Sequence, residues 1–297
     1  MEYVKANVQV PLQYLSSGQF KSDKPWSHSQ RNIDSYELII GLNKTVFIQE
    51  DDDQYSIGPG DVLLLYPDRT HRGYEMSEEG VSFYWVHFLC PEVPEYLNEH
   101  QLVDNFFKVK TNPQAPGVKN AIYIPKHCQH LEIQRVQILF HQLLHIAHSR
   151  SFISSSSNYV LTSLLIELSE LTFQQLDQTG IKKHGDQNLV HMLEWIRLHS
   201  AEDFSVSAIA EMFNYNKEYL TRYFKRKTGM NIQQYIHSVK LSLAKHLLTS
   251  TRMSIKEITQ EIGMEDEKYF MKLFKNHENL TPSEYRKAYW IIHLNSH

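Results

Sequence analysis

Two periodicities divide the chain. Up to about residue 125, apolar and aromatic residues fall in short runs separated by turn-forming residues, the pattern of closely spaced strands. Tyr36-Glu-Leu-Ile-Ile-Gly41, Thr45-Val-Phe-Ile48, Tyr55-Ser-Ile57, Val62-Leu-Leu-Leu-Tyr66 and Val81 to Phe88 are strand-like. Glu50-Asp-Asp-Asp53 lies between two of these runs and predicts a hairpin tip. Gly58-Pro-Gly-Asp61 predicts a tight turn, and Pro67 ends the strand before it. Such a succession points to a small β-sandwich or barrel.

After Pro125 the period becomes helical. Ile133, Val136, Phe140, Leu143, Leu144 and Ala147 recur at helical spacing in 131–148, and Val160 to Leu171 do so in 158–173. Residues 174–188 are polar and carry Gly180 and Gly185, which predicts a linker, placed at 176–188. Everything from 189 onward predicts helix. Ser205, Asn216, Ser254-Ile-Lys-Glu257, Asp266 and Thr281-Pro-Ser-Glu284 are helix starts by their capping chemistry, and Gly229 suits a left-handed stop. Tyr219, Leu220 and Phe224 are expected to face inward.

That last segment repeats itself. Val206, Ile209 and Phe213 match Ile255, Ile258 and Ile262 at an offset of 49; Tyr219, Leu220, Arg222, Phe224 and Lys225 match Tyr269, Phe270, Lys272, Phe274 and Lys275 at an offset of 50. Each unit is a short helix, a tight turn and a longer basic helix, the arrangement in which a second helix enters the DNA major groove. The intervening helix, 232–248, spans about 25 Å at 1.5 Å per residue. With its end turns it can hold two reading helices about one turn of B-DNA apart, so that one chain reads two successive major grooves.

Charge agrees with this division. Of 30 Lys+Arg and 34 Asp+Glu, residues 187–297 hold 15 and 12, a balance of +3, and residues 1–186 hold 15 and 22, a balance of −7. A basic C-terminal third points to a polyanionic partner. The two cysteines, Cys90 and Cys128, exclude a disulfide framework and a four-cysteine zinc site. No apolar run reaches the length of a membrane span, and the N-terminus has no secretory pattern, so the expected location is the cytoplasm with no membrane partner.

The run Ala210 to Gly229 resembles the first helix-turn-helix of the AraC/XylS transcription regulators, and Ser254 to Gly263 continuing to Thr281-Pro-Ser-Glu-Tyr-Arg286 resembles that family's second motif. Thr259, Met264 and Asn279 stand where the family usually has Ala, Phe and Gly. Tyr36-Glu-Leu-Ile-Ile, Pro59 to Pro67, His71 and Phe83-Tyr-Trp-Val-His-Phe88 resemble the cupin-type effector domain of the sugar-responsive branch. The resemblance implies an α+β chain: a jelly-roll effector domain over 1–125, a helical dimerisation module over 126–175, the linker, and a DNA-binding domain over 189–297. It also implies a homodimer, a small-molecule effector, double-stranded DNA as partner and contact with RNA polymerase, with activation as the commoner mode and no enzymatic activity.

Candidate site residues follow. With Leu220 and Phe224 buried, Lys217, Glu218, Thr221, Arg222 and Lys225 point outward; on the second reading helix Glu267, Lys268, Met271, Lys272 and Lys275 do. Family position places Glu218, Thr221, Arg222, Glu267, Lys268, Met271 and Lys272 toward bases, where Arg222 can fork to guanine and a glutamate can accept from cytosine. The bland alternative is a solvated charged face, and base and phosphate contacts are not separable from sequence. In the barrel, strand alternation puts Phe83, Trp85 and His87 on one face. If that face lines the lumen, Trp85 offers a platform for a sugar ring, His87 and His71 offer hydrogen bonds, and Arg31 lies where the family carries a ligand-contacting arginine. The alternative is that these aromatics are simply core.

A catalytic cupin would place two His and a Glu on adjacent strands, yet 41–60 holds no His, and His71 alone occupies a plausible ligand position. His141, His145 and His148 share a helical face near His127, Cys128 and His130, without a carboxylate in the same helix to complete a zinc shell. No phosphate loop or nucleophile elbow occurs. The reading is therefore a sugar-responsive regulator without metal or other cofactor. The alternatives are a cupin metalloenzyme with an accessory DNA domain, and a ligand-independent DNA-binding regulator with a filled barrel.

Overall fold

The computed structural model describes residues 2–148, 155–180, 187–202 and 204–294. The chain divides into two compact units, 1–109 with 113–183, and 110–112 with 184–297. In the first, strands β1 (Glu2–Asn7), β2 (Gln13–Lys21), β3 (Arg31–Asn32), β4 (Tyr36–Asn43), β5 (Val46–Glu50), β6 (Asp53–Ile57), β7 (Val62–Leu65), β8 (Thr70–Gly73), β9 (Ser82–Leu89) and β10 (Glu95–Asn98) precede α1 (Glu99–Thr111). Then come β11 (Ala121–Pro125), β12 (His127–Cys128), α2 (Gln134–His148) and α3 (Ser156–Gln175). The second unit holds α4 (Gln187–Leu198), α5 (Val206–Met212), α6 (Lys217–Thr228), α7 (Ile232–Ser250), α8 (Ile255–Glu261), α9 (Glu267–Glu278) and α10 (Pro282–Leu294).

The strands form a five-stranded sheet ordered β12-β7-β4-β9-β2, a four-stranded sheet ordered β3-β8-β5-β6 and a smaller β10-β1-β11 sheet. The five-stranded sheet is covered on both faces. Ile39, Leu63, Leu65 and Phe83 meet Val46, Ile48 and Ile57 of the four-stranded sheet in one core. Leu38, Ile40, Val62, Leu64, Tyr84, Val86 and Phe88 point the other way and pack with Val136, Phe140, Leu143, Leu161, Leu164 and Leu165 of α2 and α3. Double coverage explains why Val62-Leu-Leu-Leu65 is apolar without alternation, since every position is buried. The hairpin tip turns at Asp51 with φ 50°, and the Gly58–Asp61 turn closes through Asp61 N–H to the Gly58 carbonyl at 3.0 Å.

Two expected boundaries shift. The barrel does not stop at 125, because β12 pairs with β7, and α1 interrupts its strands. The expected linker at 176–188 is shorter: helical structure continues as a π-helical turn, Leu176–Gly180, with Leu176 buried, and α4 begins at Gln187. One apolar side chain in a polar run suffices to hold another helical turn. Residues 181–186 lie outside the described residues, as do 149–154; the sequence breaks the two helices apart at Ser154–Ser157, of which Ser154 lies outside the described residues and Ser156 already begins α3.

In the second unit the capping chemistry is observed. Ser205, Asn216, Ser254 and Asp266 accept backbone N–H groups at the starts of α5, α6, α8 and α9. Ser254 and Glu257 complete a reciprocal capping box, and Thr281 and Glu284 exchange the same pair of bonds. Gly229 and Asn279 end α6 and α9 at φ 76° and 59°. The family departures are absorbed locally. Thr259 is buried and returns its hydroxyl to the Ile255 carbonyl at 2.8 Å, and Met264 packs on the core of the second motif.

Candidate effector cavity and DNA-reading surface

A cavity of about 490 Å³ opens between the two larger sheets of the first unit. Phe83, Trp85 and His87, which strand alternation puts on one face, line it with Arg31, the residue that the family resemblance points to, and with Phe20, Trp26, His28 and Glu37. Its apolar wall is a run of rings: Phe20 lies 4.2 Å from Trp26 and 5.0 Å from Phe83 between centroids, and Trp85 meets His87 edge-on at 5.4 Å. Trp85 is half-buried rather than packed away. It can lie there because its cross-strand partner is Gly18; a Cβ on Gly18 would fall 2.7 Å from the indole. Arg31 is exposed, and its strand pairs it with His71.

His71 is the correction. It was expected to contact the effector, but it is completely buried and is absent from the cavity lining, behind Glu37 and His28. Its Nε2 is 3.6 Å from Glu37 Oε2, and its ring centroid is 5.2 Å from that of His28. Glu37 is in turn the cross-strand neighbour of His87, whose Nε2 is 3.8 Å from Oε1. Burial pushes the Glu37 carboxyl up to about 7, against the lowering pull of Arg31. Burial also pulls the His71 imidazole down to about 4, helped by the neighbouring His28. His28 and His87 are lowered for the same first reason. The site therefore presents neutral imidazoles and a carboxyl poised near neutrality.

Sequence reasoning missed Trp26, His28, Phe20 and Glu37. Trp26 and His28 lie in irregular chain held by bridges to Ser77 and Gly73, and no periodicity marks them. Glu37 was hidden inside an apolar strand, although a carboxylate in such a run is itself a signal. A second cleft, about 830 Å³, is lined by Glu2, Asp53, Tyr55, Tyr96, Lys126 and His127 among others. It is larger, but it lacks a continuous apolar wall, so the smaller cavity is the better fit to an organic ligand. His141, one of the helical-face histidines, bonds the Tyr84 hydroxyl at 2.9 Å.

On the second unit, Leu220, Phe224, Phe270 and Phe274 are fully buried and fix the faces of α6 and α9. Lys217, Glu218, Arg222 and Lys225 are exposed on α6 and Thr221 is half-buried; Lys268, Met271, Lys272 and Lys275 are exposed on α9 and Glu267 is half-buried. Among the described residues Arg222 makes a long 3.4 Å contact from Nε to the Glu218 carbonyl, which leaves its terminal guanidinium nitrogens available. Tyr219 does not face inward as expected. It is 46% exposed and forms a three-ring cluster with Tyr215 and Tyr223, with centroids 5.6 to 5.9 Å apart, and Tyr269 is likewise exposed. The cluster of three rings gives the start of α6 an aromatic edge beside its cations.

Among the described residues no helix is long and apolar enough to cross a membrane. Residues 15–165 match the AraC-like ligand binding domain, and residues 209–288 match a helix-turn-helix domain. The chain is 25% identical over 282 residues to the uncharacterized HTH-type transcriptional regulator YisR of Bacillus subtilis, covering 92% of this chain and 93% of that protein. It is 27% identical over 263 residues to the HTH-type transcriptional activator RhaS of Escherichia coli, covering 87% of each. It is 23% identical to the Msm operon regulatory protein of Streptococcus mutans, covering 91% of this chain and 90% of that one. With a ligand-binding domain matched over half its length and a helix-turn-helix domain behind it, the chain belongs to the AraC family of DNA-binding transcriptional regulators.

Proposed function

We propose that this regulator is a sugar-responsive activator that works as a cytoplasmic homodimer and has no enzymatic activity of its own. The carrying observation is the composition of the smaller cavity. Its wall of Phe20, Trp26, Phe83 and Trp85 matches the C–H face of a pyranose, while Arg31, Glu37, His28 and His87 offer donors and acceptors to its hydroxyl edge. A lipid chain would leave those polar groups without partners at a cost. Its volume, 490 Å³, falls within the usual range for small-molecule sites. A relative named as a transcriptional activator, RhaS, supports the sign of regulation.

In this reading α2 and α3 supply the dimer contact. Ile138, Tyr159 and Ile166 stand exposed on these helices while their opposite faces cover the barrel. Each protomer reads two successive major grooves through α6 and α9, and activation proceeds by contact with RNA polymerase. Arg31, Phe83, Trp85 and His87 contact the effector; the outward residues of α6 and α9 contact DNA.

The test is a panel of mono- and disaccharides titrated by tryptophan fluorescence and calorimetry, with reporter transcription alongside. Binding of one sugar with quenching is expected, and Trp85→Ala is expected to abolish the transcriptional response while operator binding persists. If no sugar binds and Trp85→Ala responds to its inducer like wild type, the cavity is not the effector site.

A further inference from the structure

The floor of the cavity gathers three metal-ligating side chains from three separate segments. His28 comes from the chain before β3, Glu37 from β4 and His71 from β8, and one ligand atom of each lies within 4.8 Å of the other two. All three are buried, with 7%, 3% and 0% of their surface exposed. Glu37 Oε2 and His71 Nε2 are buried without a hydrogen-bond partner, although groups of this kind almost always have one.

The surroundings aim these donors. The His28 Nδ1 lies 2.7 Å from the Ser29 carbonyl. A carbonyl only accepts, so Nδ1 carries the proton and Nε2 keeps its lone pair, the second-shell arrangement typical of a metal-bound histidine. The loop is pressed into place: Gly73 N–H donates to the His28 carbonyl at 2.8 Å, and a Cβ on Gly73 would meet the His28 backbone nitrogen at 2.6 Å. His87, with Nδ1 3.3 Å from the Ser35 hydroxyl and Nε2 3.8 Å from Glu37 Oε1, flanks the carboxylate from the cavity side.

We propose that His28, Glu37 and His71 form a binding site for one divalent transition-metal ion at the base of the cavity. Two imidazole nitrogens and one carboxylate oxygen suit zinc and its first-row neighbours, and leave a coordination position open on the cavity side, next to His87. Around a tetrahedral ion at about 2.0–2.1 Å the ligand atoms sit roughly 3.3 Å apart. The Glu37–His71 pair, at 3.6 Å, is already near that spacing. Side-chain rotation closes the rest. The pattern differs from the strand-borne pair of histidines expected of a metal cupin, because the first histidine comes from a loop; that is why the sequence reading assigned no metal. The site stands whether or not the effector is a sugar.

The experiment uses the full chain without an affinity tag, stripped with chelator, and titrated with zinc chloride and cobalt chloride by calorimetry and visible absorption. One ion per chain is expected, with a Kd at or below about 1 μM and a cobalt spectrum of nitrogen and oxygen ligation. Glu37→Gln and His71→Ala are each expected to weaken binding at least about tenfold, since even second-shell changes cost 10–100-fold. His145→Ala, outside the cluster, is expected to leave it unchanged. Should the variants lose their circular-dichroism signal, X-ray absorption of the wild-type cobalt protein decides, through scattering from two imidazoles. Binding weaker than about 0.1 mM, binding indifferent to Glu37→Gln and His71→Ala, or a sulfur-to-cobalt band would each overturn the assignment, the last placing the ion at a cysteine.

Discussion

The two helix-turn-helix motifs descend from one pattern but solve the same backbone problem with opposite residues. At the turn between the short and the long helix, the first motif has Asn214 at φ 56° and the second has Gly263 at φ 61°. At the stop of the reading helix the order reverses: Gly229 ends α6 and Asn279 ends α9. Both residue types enter the left-handed region, but glycine alone has no side chain. What differs is the neighbourhood. A Cβ on Gly263 would lie 2.6 Å from the Ala201 carbonyl oxygen and from the Glu202 backbone, whereas Asn214 is exposed. The second motif is pressed against the chain ahead of α5, and its glycine is a condition of that contact.

The largest expected effect follows from this. Gly263→Ala combines a left-handed conformation with backbone overlap, so it should cost at least about 3 kcal/mol in the unfolding of the helical unit. Asn214→Ala carries the conformational penalty alone and should cost about 1 kcal/mol. Urea unfolding followed at 222 nm measures both. Equal losses would mean that the close approach at Gly263 is not what distinguishes the motifs.

The bracing differs as well. Lys240, on α7, is buried, and its ammonium donates to the carbonyls of Glu202, Ile262 and Gly263 at 2.7, 2.7 and 3.0 Å. Two of these carbonyls belong to the turn after α8 and one to the segment ahead of α5, so a single cation ties both regions to the connecting helix. Lys245 adds an ion pair to Glu278 of α9 at 2.9 Å. In the first motif, Arg197 of α4 reaches the Tyr235 hydroxyl at 3.0 Å. Lys240→Met keeps the aliphatic stem but strands three carbonyls, and a loss of about 2–3 kcal/mol is expected. Operator affinity should fall further than stability alone explains, because the second reading helix loses its fixed relation to α7. A stability loss with unchanged affinity in the folded variant would reduce Lys240 to a core residue.

The same contrast explains what the sequence could tell. Reading helices were legible because their determinants are local: Asn216 and Asp266 cap at fixed offsets, and Leu220, Phe224, Phe270 and Phe274 recur at helical spacing. Tyr219 broke the rule because its neighbours four residues away on either side, Tyr215 and Tyr223, are also tyrosines, and ring contact substitutes for burial. The barrel was legible strand by strand, and the alternation of Phe83, Trp85 and His87 placed three of the cavity residues. Its floor was not. Glu37 on β4 of the five-stranded sheet and His71 on β8 of the four-stranded sheet meet across the two sheets, and His28 joins them from a loop laid against Gly73. Such pairings are non-local, and no spacing along the chain announces them.

A finer test separates the two reading helices by what they touch. We propose that Arg222, in the middle of α6, reads a base edge and that Lys275, in the last turn of α9, holds a phosphate. Arg222→Ala should cost about 1–3 kcal/mol on the cognate operator and relax selection at one base position. Lys275→Ala should weaken binding to all sequences alike and lower the salt slope by about one. Selection from a randomised operator, repeated at several salt concentrations, reads both outcomes. Identical sequence profiles for the two variants would remove the distinction between base-reading and phosphate-holding positions.

The smallest effect probes the exchanged helix stops. Asn279 holds φ 59° and donates its backbone N–H to the Lys275 carbonyl at 2.9 Å, the same bond that Gly229 makes to Lys225. Glycine at this position relieves left-handed strain, yet it also enlarges the unfolded ensemble, and the two terms oppose each other. Asn279→Gly should therefore change stability by no more than about 0.5 kcal/mol, with the reverse exchange, Gly229→Asn, equally mild. Asn279→Ala, lacking both the freedom of glycine and the local hydrogen bonding of asparagine, should cost about 1 kcal/mol. A loss above about 1.5 kcal/mol in Asn279→Gly would show that the asparagine side chain contributes something beyond backbone tolerance. The two stops would then no longer be interchangeable solutions to one conformational demand.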